Sequence, residues 1–189
     1  MRRAVLLIAA AALLAACTTE APGKAEPAPT SSAPTGLVLP PRPFELPLDG
    51  VDPCSLLTPD QRESIGLTDD VLRSASSAPG FTGPTCTMQG YEPRAISVEF
   101  ALATSNGIEV LTESEYLTDE LTPITVQGFP AVLARPEHPT FCSVDVDVAD
   151  GQFLDVLFAD GGRRVISQDQ LCRDAVAVAE EAMKTLLRR

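Results

Sequence analysis

The sequence is short of the residues that most catalytic and nucleic-acid chemistry needs. It has one histidine in 189 residues, His138, in the proline-bounded stretch Arg135-Pro136-Glu137-His138-Pro139. A lone histidine with no H-E-x-x-H or G-x-S-x-G context builds neither a metal centre nor a nucleophile–base pair. It reads as an exposed loop residue. Basic residues are scarce: 14 Lys and Arg face 26 Asp and Glu, a formal net charge of −12. That excludes a basic groove, so no nucleic-acid partner is expected. It also predicts repulsion from anionic headgroups, which keeps the protein body off a membrane surface. Most of the acidity reads as solubility. Long apolar runs are missing as well. The one present, Ala4 to Ala16, is shorter than the roughly 20 residues a membrane-spanning helix needs.

What is present begins at the first residue. Met1-Arg2-Arg3, the apolar run and Cys17 have the anatomy of a secretory signal. Leu14-Ala15-Ala16-Cys17 matches the bacterial lipobox, whose cysteine takes a diacylglycerol thioether and becomes the first residue of the mature protein. Residues 1–16 are expected to leave as a lipoprotein signal peptide, with Cys17 as the lipidation site. Two acyl chains hold stably where one binds marginally. The expected address is the extracytoplasmic face of the cell membrane, with the membrane as a partner through the lipid on Cys17.

Five cysteines less Cys17 leave Cys54, Cys86, Cys142 and Cys172. An even number in an exported chain reads as disulfides. No two of them stand at C-x-x-C spacing, so zinc is disfavoured.

Residues 17–50 are rich in Pro, Ala, Ser and Thr and hold eight of the 17 prolines. Such a segment buries too little apolar surface to order itself and favours extended polyproline II, so a disordered tether is expected. Leu37-Val38-Leu39 and Phe44 are its less polar exceptions, suited to docking on the domain. Residues 51–189 are then long enough for one core and one domain.

That domain opens with Asp52-Pro53-Cys54-Ser55-Leu56-Leu57-Thr58-Pro59-Asp60-Gln61. Asp52 and Thr58 are N-caps, each followed by a proline at the first helical position, and Gln61 completes a capping box. Gly66 suits the stop. Strands are expected over Thr85–Tyr91, Ala95–Leu102, Ile124–Val126, Phe129–Ala134, Phe141–Ala149 and Gln152–Phe158. The acidic stretch Gly107–Leu121 has apolar residues at helical spacing and is read as a helix. Its Glu109, Glu113, Glu115, Asp119 and Glu120 form a solvated face, with docking of a basic partner as the alternative.

In the last hairpin, a type I turn with a glycine bulge at Gly151 pairs Val146 with Leu154 and Val144 with Val156, which keeps all four inward. Ser167 and Gln170 frame a capping box for a final helix. Its stripe is Cys172, Ala175, Val176, Ala179, Ala182, Met183 and Leu186. The sum is α+β: a curved antiparallel sheet of about five strands, a short N-terminal helix, and a C-terminal helix packed on one face. Cys142 faces inward and Cys172 begins the helix stripe, so these two are assigned to each other and Cys54 to Cys86. Crossed pairings remain open.

The lipobox, the proline-rich tether, Asp52-Pro53-Cys54-Ser55-Leu56-Leu57-Thr58, Gly128-Phe129-Pro130-Ala131-Val132, Cys142-Ser143-Val144 and the Cys172 helix occur in the order seen in one known set. The chain resembles the actinobacterial lipoproteins grouped as domain-of-unknown-function family 3558. One departure is Cys86-Thr87-Met88, where similar proteins often place an aromatic residue after the cysteine. The resemblance implies residence in the cell envelope and no established activity, so it transfers no catalytic residue.

Asp145, Asp147, Asp150 and Asp155 are the remaining candidates for chemistry. The hairpin register sets Asp145 opposite Asp155 on the outward face. Facing carboxylates repel, and calcium would relieve them. Their spacing is not that of an EF-hand loop, and solvent screens exposed charge. No metal and no other cofactor is assigned. The expected function is a non-enzymatic binding or interaction module whose partner is an envelope protein or a cell-wall or lipid component. The alternative is a carrier of a small apolar ligand, such as a lipid, in a pocket between the sheet and the last helix. A hydrolase ranks third.

Overall fold

The computed structural model describes residues 37–78, 81–113, 119–163 and 165–189. The expected signal peptide, Cys17 and the expected tether up to residue 36 lie outside the described residues. The order of elements is a 3-10 turn (Pro53–Ser55), α1 (Pro59–Ile65), β1 (Val71–Ala78), β2 (Phe81–Gly90), β3 (Ile96–Ala103), α2 (Glu109–Thr112), β4 (Glu120–Val126), β5 (Phe129–Arg135), β6 (Phe141–Ala149), β7 (Gln152–Asp160) and α3 (Gln168–Leu186).

The strands form one open antiparallel sheet of seven, ordered β1-β2-β3-β7-β6-β5-β4. This corrects the expected count of about five. The strand without a sequence counterpart is β1, Val-Leu-Arg-Ser-Ala-Ser-Ser-Ala. It lies at an edge, so it has no apolar alternation to show. β4 starts four residues before the expected Ile124, at Glu120. Its Pro123 is tolerated because β4 is the other edge, where a missing N–H can face outward.

Local signals at the helix ends operate largely as read. Asp52 accepts from the Cys54 N–H at 2.9 Å. Thr58 and Gln61 form the full reciprocal box on α1, and Gly66 ends it at φ 94°. At α3 only half of the expected box exists. Ser167 accepts from the Gln170 N–H, while the Gln170 side chain donates instead to Asp174 at 2.7 Å. The buried stripe of α3 gains Leu171 and Val178, and Val176 moves to its flank.

Of the helix expected over Gly107–Leu121, the described residues show the four of α2, and residues 114–118 lie outside them. Ile108 stands at its N-cap and supplies no side-chain acceptor. Leu121 pairs with Ala134 in the sheet instead. Gln127 and Gly128 hold φ 49° and 85° between β4 and β5, the left-handed pair that a tight two-residue hairpin requires. In the last hairpin Val146 faces Leu154 and Val144 faces Val156, with the register shift between Asp147 and Ala149.

The sheet has two covered faces. One packs against α3 and the N-terminal turn around Phe100, Phe158, Met183 and Leu186. The second carries a smaller cluster of Ala103, Ile108, Val132 and Phe153, joined by Leu37, Leu39, Leu111 and Leu121. The ordered chain therefore begins before Val51, and the boundary drawn there from composition moves. Residues 37–50 form a strap. Leu37 N–H donates to Thr112 O at 3.2 Å and Leu46 N–H to Val148 O at 2.8 Å. Leu46 and Leu48 reach the main core, and the Phe44 ring meets Phe129 edge-on at 5.1 Å. Val38 stays largely in solvent.

Candidate functional site

The second face of the sheet is where the acidic residues gather. Side chains alternate along a strand, so burying Val144 and Val146 in the main core sends Asp145 and Asp147 to the opposite face. Asp145 stands directly across from Asp155. The sequence reading left this pair in solvent. The structure buries it: Asp145 is 4 % exposed, and Asp155 is half-buried. The correction has a physical cause. Leu111, Leu121, Ala134 and Leu157 stand around the two carboxyls in a hollow of about 170 Å3.

The two side chains hydrogen-bond to each other. Two oxygens can approach in that way only if a proton lies between them. Burial raises both carboxyls, Asp145 to about 7 and Asp155 well above the usual carboxylate range. The charges of Asp119 and Glu99 add to the effect on Asp145 and Asp155 respectively. The pair therefore holds a proton between its two carboxyls. Glu99 itself accepts from the Thr87 hydroxyl at 3.0 Å.

The other two aspartates separate from the pair. Asp147 binds Arg42 of the strap at 2.5 Å. Burial still lifts its carboxyl above the usual range, against the pull of that guanidinium. Asp150 is exposed, and its N–H donates to Glu45 at 2.6 Å. Among the described residues no three His, Cys, Asp or Glu side chains converge as metal ligands. Of the acidic stretch, Asp119 turns toward the buried pair, and Glu115 lies outside the described residues.

A larger cleft, about 630 Å3, opens at the N-terminal end of α3 between His138, Thr140, Phe141, Ile166 and Gln168. Its walls are built locally. Asp160 accepts from the Val165 and Ile166 N–H groups at 2.9 and 3.0 Å. Gln168 donates to Pro136 O at 2.6 Å. His138 is exposed at the rim, as a loop histidine should be. Ser167, the hydroxyl that shares the cleft, caps α3.

Cys142 and Cys172 meet beside this cleft with Cα atoms 4.9 Å apart, and Cys54 meets Cys86 at 5.2 Å. Both separations suit a disulfide, and the pairing is uncrossed. A family model described as a protein of unknown function, DUF3558, matches residues 12–185. The chain belongs to the DUF3558 family. No characterised protein matches it, and no solved structure does.

In this DUF3558 protein, sequence reasoning placed Asp145 against Asp155 but missed their burial, the bracing role of Asp160 and the strap contact of Arg42. For Asp160 a local signal existed: an aspartate before Gly161-Gly162 can accept from N–H groups a few residues on. For Arg42 there was none, because its partner lies 105 residues away.

Proposed function

We propose that this protein is a lipid-anchored module on the extracytoplasmic face of the cell membrane, held by a diacylated Cys17, and that it works by binding rather than by catalysis. One observation carries the reading. All four cysteines of the folded part are paired two by two, and Cys17 stands apart at the lipobox. Disulfides persist in oxidising compartments, and a fifth cysteine suits a thioether. The family match begins at residue 12, so the Leu14–Cys17 segment falls within the shared pattern. The binding reading is supported by Ser167, whose hydroxyl shares the cleft with His138 but serves as a helix cap. The partner is an envelope protein or a cell-wall or lipid component.

The test is expression of the full chain in a bacterium, followed by detergent partition and intact-mass analysis. The wild type should enter the detergent phase with the mass of a diacylglycerol on Cys17, and Cys17→Ala should not. A chain recovered from the cytosol with five free thiols would end the proposal.

A second reading, a small-ligand carrier, is favoured by the cleft at the start of α3. Its volume lies within the range of small-molecule sites, and Phe141 and Ile166 give it apolar walls. It sits at the end of the sheet–helix layer, whose middle is filled by Phe100, Phe158 and Met183. Native mass spectrometry of protein purified from membranes would show an adduct that disappears in Ile166→Arg.

A further inference from the structure

The sheet is open, and its two edges differ. β4 has Pro123 at its middle, and proline offers no N–H to a further strand. β1 has no such guard. It runs eight residues without proline, lysine or carboxylate and pairs with β2 from Val71↔Met88 to Ala78↔Phe81. Among the described residues no strand lies on its outer side. Leu72, Arg73, Ser74 and Ala75 are exposed.

The direction of its backbone groups follows from one bond. Gln89 N–H donates to the Asp70 carbonyl at 2.8 Å. Groups alternate along an antiparallel ladder, so Leu72 and Ser74 face β2. Val71, Arg73 and Ala75 then direct their N–H and C=O groups away from the sheet.

We propose that β1 is a self-association edge, through which two copies of the chain join antiparallel into one continuous sheet. The occupant is a second copy for three reasons. First, β1 complements itself when centred on Ser74. The outward groups of Arg73 then meet those of Ala75 in the other copy, and Val71 meets Ser77. Centring on Arg73 would instead oppose two guanidinium groups, which is unfavourable. Second, the chain has 26 acidic and 14 basic residues, so two copies repel over most of their surface. β1 itself carries no carboxylate, and its one charge, Arg73, is ion-paired with Asp52 at 3.2 Å. Third, Pro123 blocks the other edge, so pairing through β1 closes at two copies rather than propagating. This inference goes beyond the proposed function and does not depend on it.

The register sets Ser74 opposite Ser74 of the second copy at a non-hydrogen-bonded position, with Cα atoms about 4.5 Å apart. That suits a disulfide, whereas two Arg73 positions lie farther apart than one spans. The full chain carrying Ser74→Cys should therefore give, under mild oxidation in cells, a non-reducing gel band at twice the chain mass. Arg73→Cys, also at an exposed position, should not. In sedimentation velocity the wild type should show a concentration-dependent dimer. Ala75→Pro removes an outward N–H without touching a bond to β2 and should leave a folded monomer. If that variant fails to fold, Ser74→Arg decides: two opposed charges should weaken the dimer about tenfold or more. A wild-type monomer at every concentration, equal cross-linking at Arg73→Cys, or a Ser74→Cys product of some other mass each overturns the proposal.

Discussion

The Asp145–Asp155 pair predicts that this domain loses stability as pH rises from acid to neutral, the reverse of an ordinary paired carboxylate. The sign follows from proton counting. In the unfolded chain both aspartates release their protons near 3.8, while in the folded protein Asp145 holds on to about 7 and burial keeps Asp155 well above the usual carboxylate range. Between those values the folded state binds more protons than the unfolded state. Stability then falls with pH at up to about 1.4 kcal/mol per unit for each proton concerned. From pH 5 to 7 that is a loss of about 2 kcal/mol from Asp145 alone, an upper limit because local relaxation softens buried charge. The groups that face the pair are Glu99, Asp119 and Ser143, none of them a cation. Asp155→Asn reproduces the shape and donor of the protonated carboxyl and removes its charge. Urea unfolding at pH 5, 6, 7 and 8 should show a steady fall for the wild type. The fall should be about half as steep for Asp155→Asn, because only Asp145 then takes up a proton on folding. Equal slopes in the two proteins, or a wild type that gains stability toward pH 8, would refute the reasoning.

Three further outcomes are expected. Glu45, Asp52 and Glu181 are held below their usual range, mainly by the Asp150 N–H, the Cys54 N–H and Lys184 respectively. Stability should therefore decline again once pH drops through their lowered values, leaving a maximum in mild acid when the urea series is extended below pH 4. Replacing Cys142 and Cys172 together by alanine opens a loop of 30 residues and should lower stability by about 2–4 kcal/mol, read by thermal unfolding against the intact protein. A Cβ at Gly90 would lie 1.7 Å from the Gly66 carbonyl oxygen, so Gly90→Ala must push α1 off the end of β2. A loss of about 1–3 kcal/mol in the same thermal assay is the expected size of such overpacking.

Much of this fold was legible where the information is local. Proline after Asp52 and Thr58, glycine at 66 and the alternation of Phe141–Ala149 each act within a few residues, and the elements they mark are there. The last hairpin's register was legible too, because a one-residue slip would have buried Asp155 in the main core. β1 was not legible. An edge strand of serine and alanine has neither period nor bulk, and only its pairing with β2 makes it a strand. The helix over Gly107–Leu121 failed for the complementary reason. Helical spacing of apolar residues was present, but Leu121 gains more by pairing with Ala134 and capping the second face.

The candidate site was hidden by the same long-range closure. Proline content assigned residues 37–50 to a solvated tether, and composition is a fair guide to whether a segment orders by itself. It says nothing about a segment that is given a partner. Arg42 finds Asp147, Leu46 finds Val148 and Leu48 finds Gln152, each about a hundred positions away. Those contacts bring Leu37 and Leu39 onto the second face beside Leu111 and Leu121, and that apolar patch borders the Asp145–Asp155 pair. The strap and the buried carboxyls are thus parts of one arrangement. Arg42→Ala leaves Asp147 buried without its cation, a loss of about 2 kcal/mol. It should speed hydrogen exchange at the Leu46 and Leu37 amides ahead of any change in β2 or β3. Exchange that rises uniformly across the sheet would instead mean that the strap is an integral layer of the core and not a separable cover.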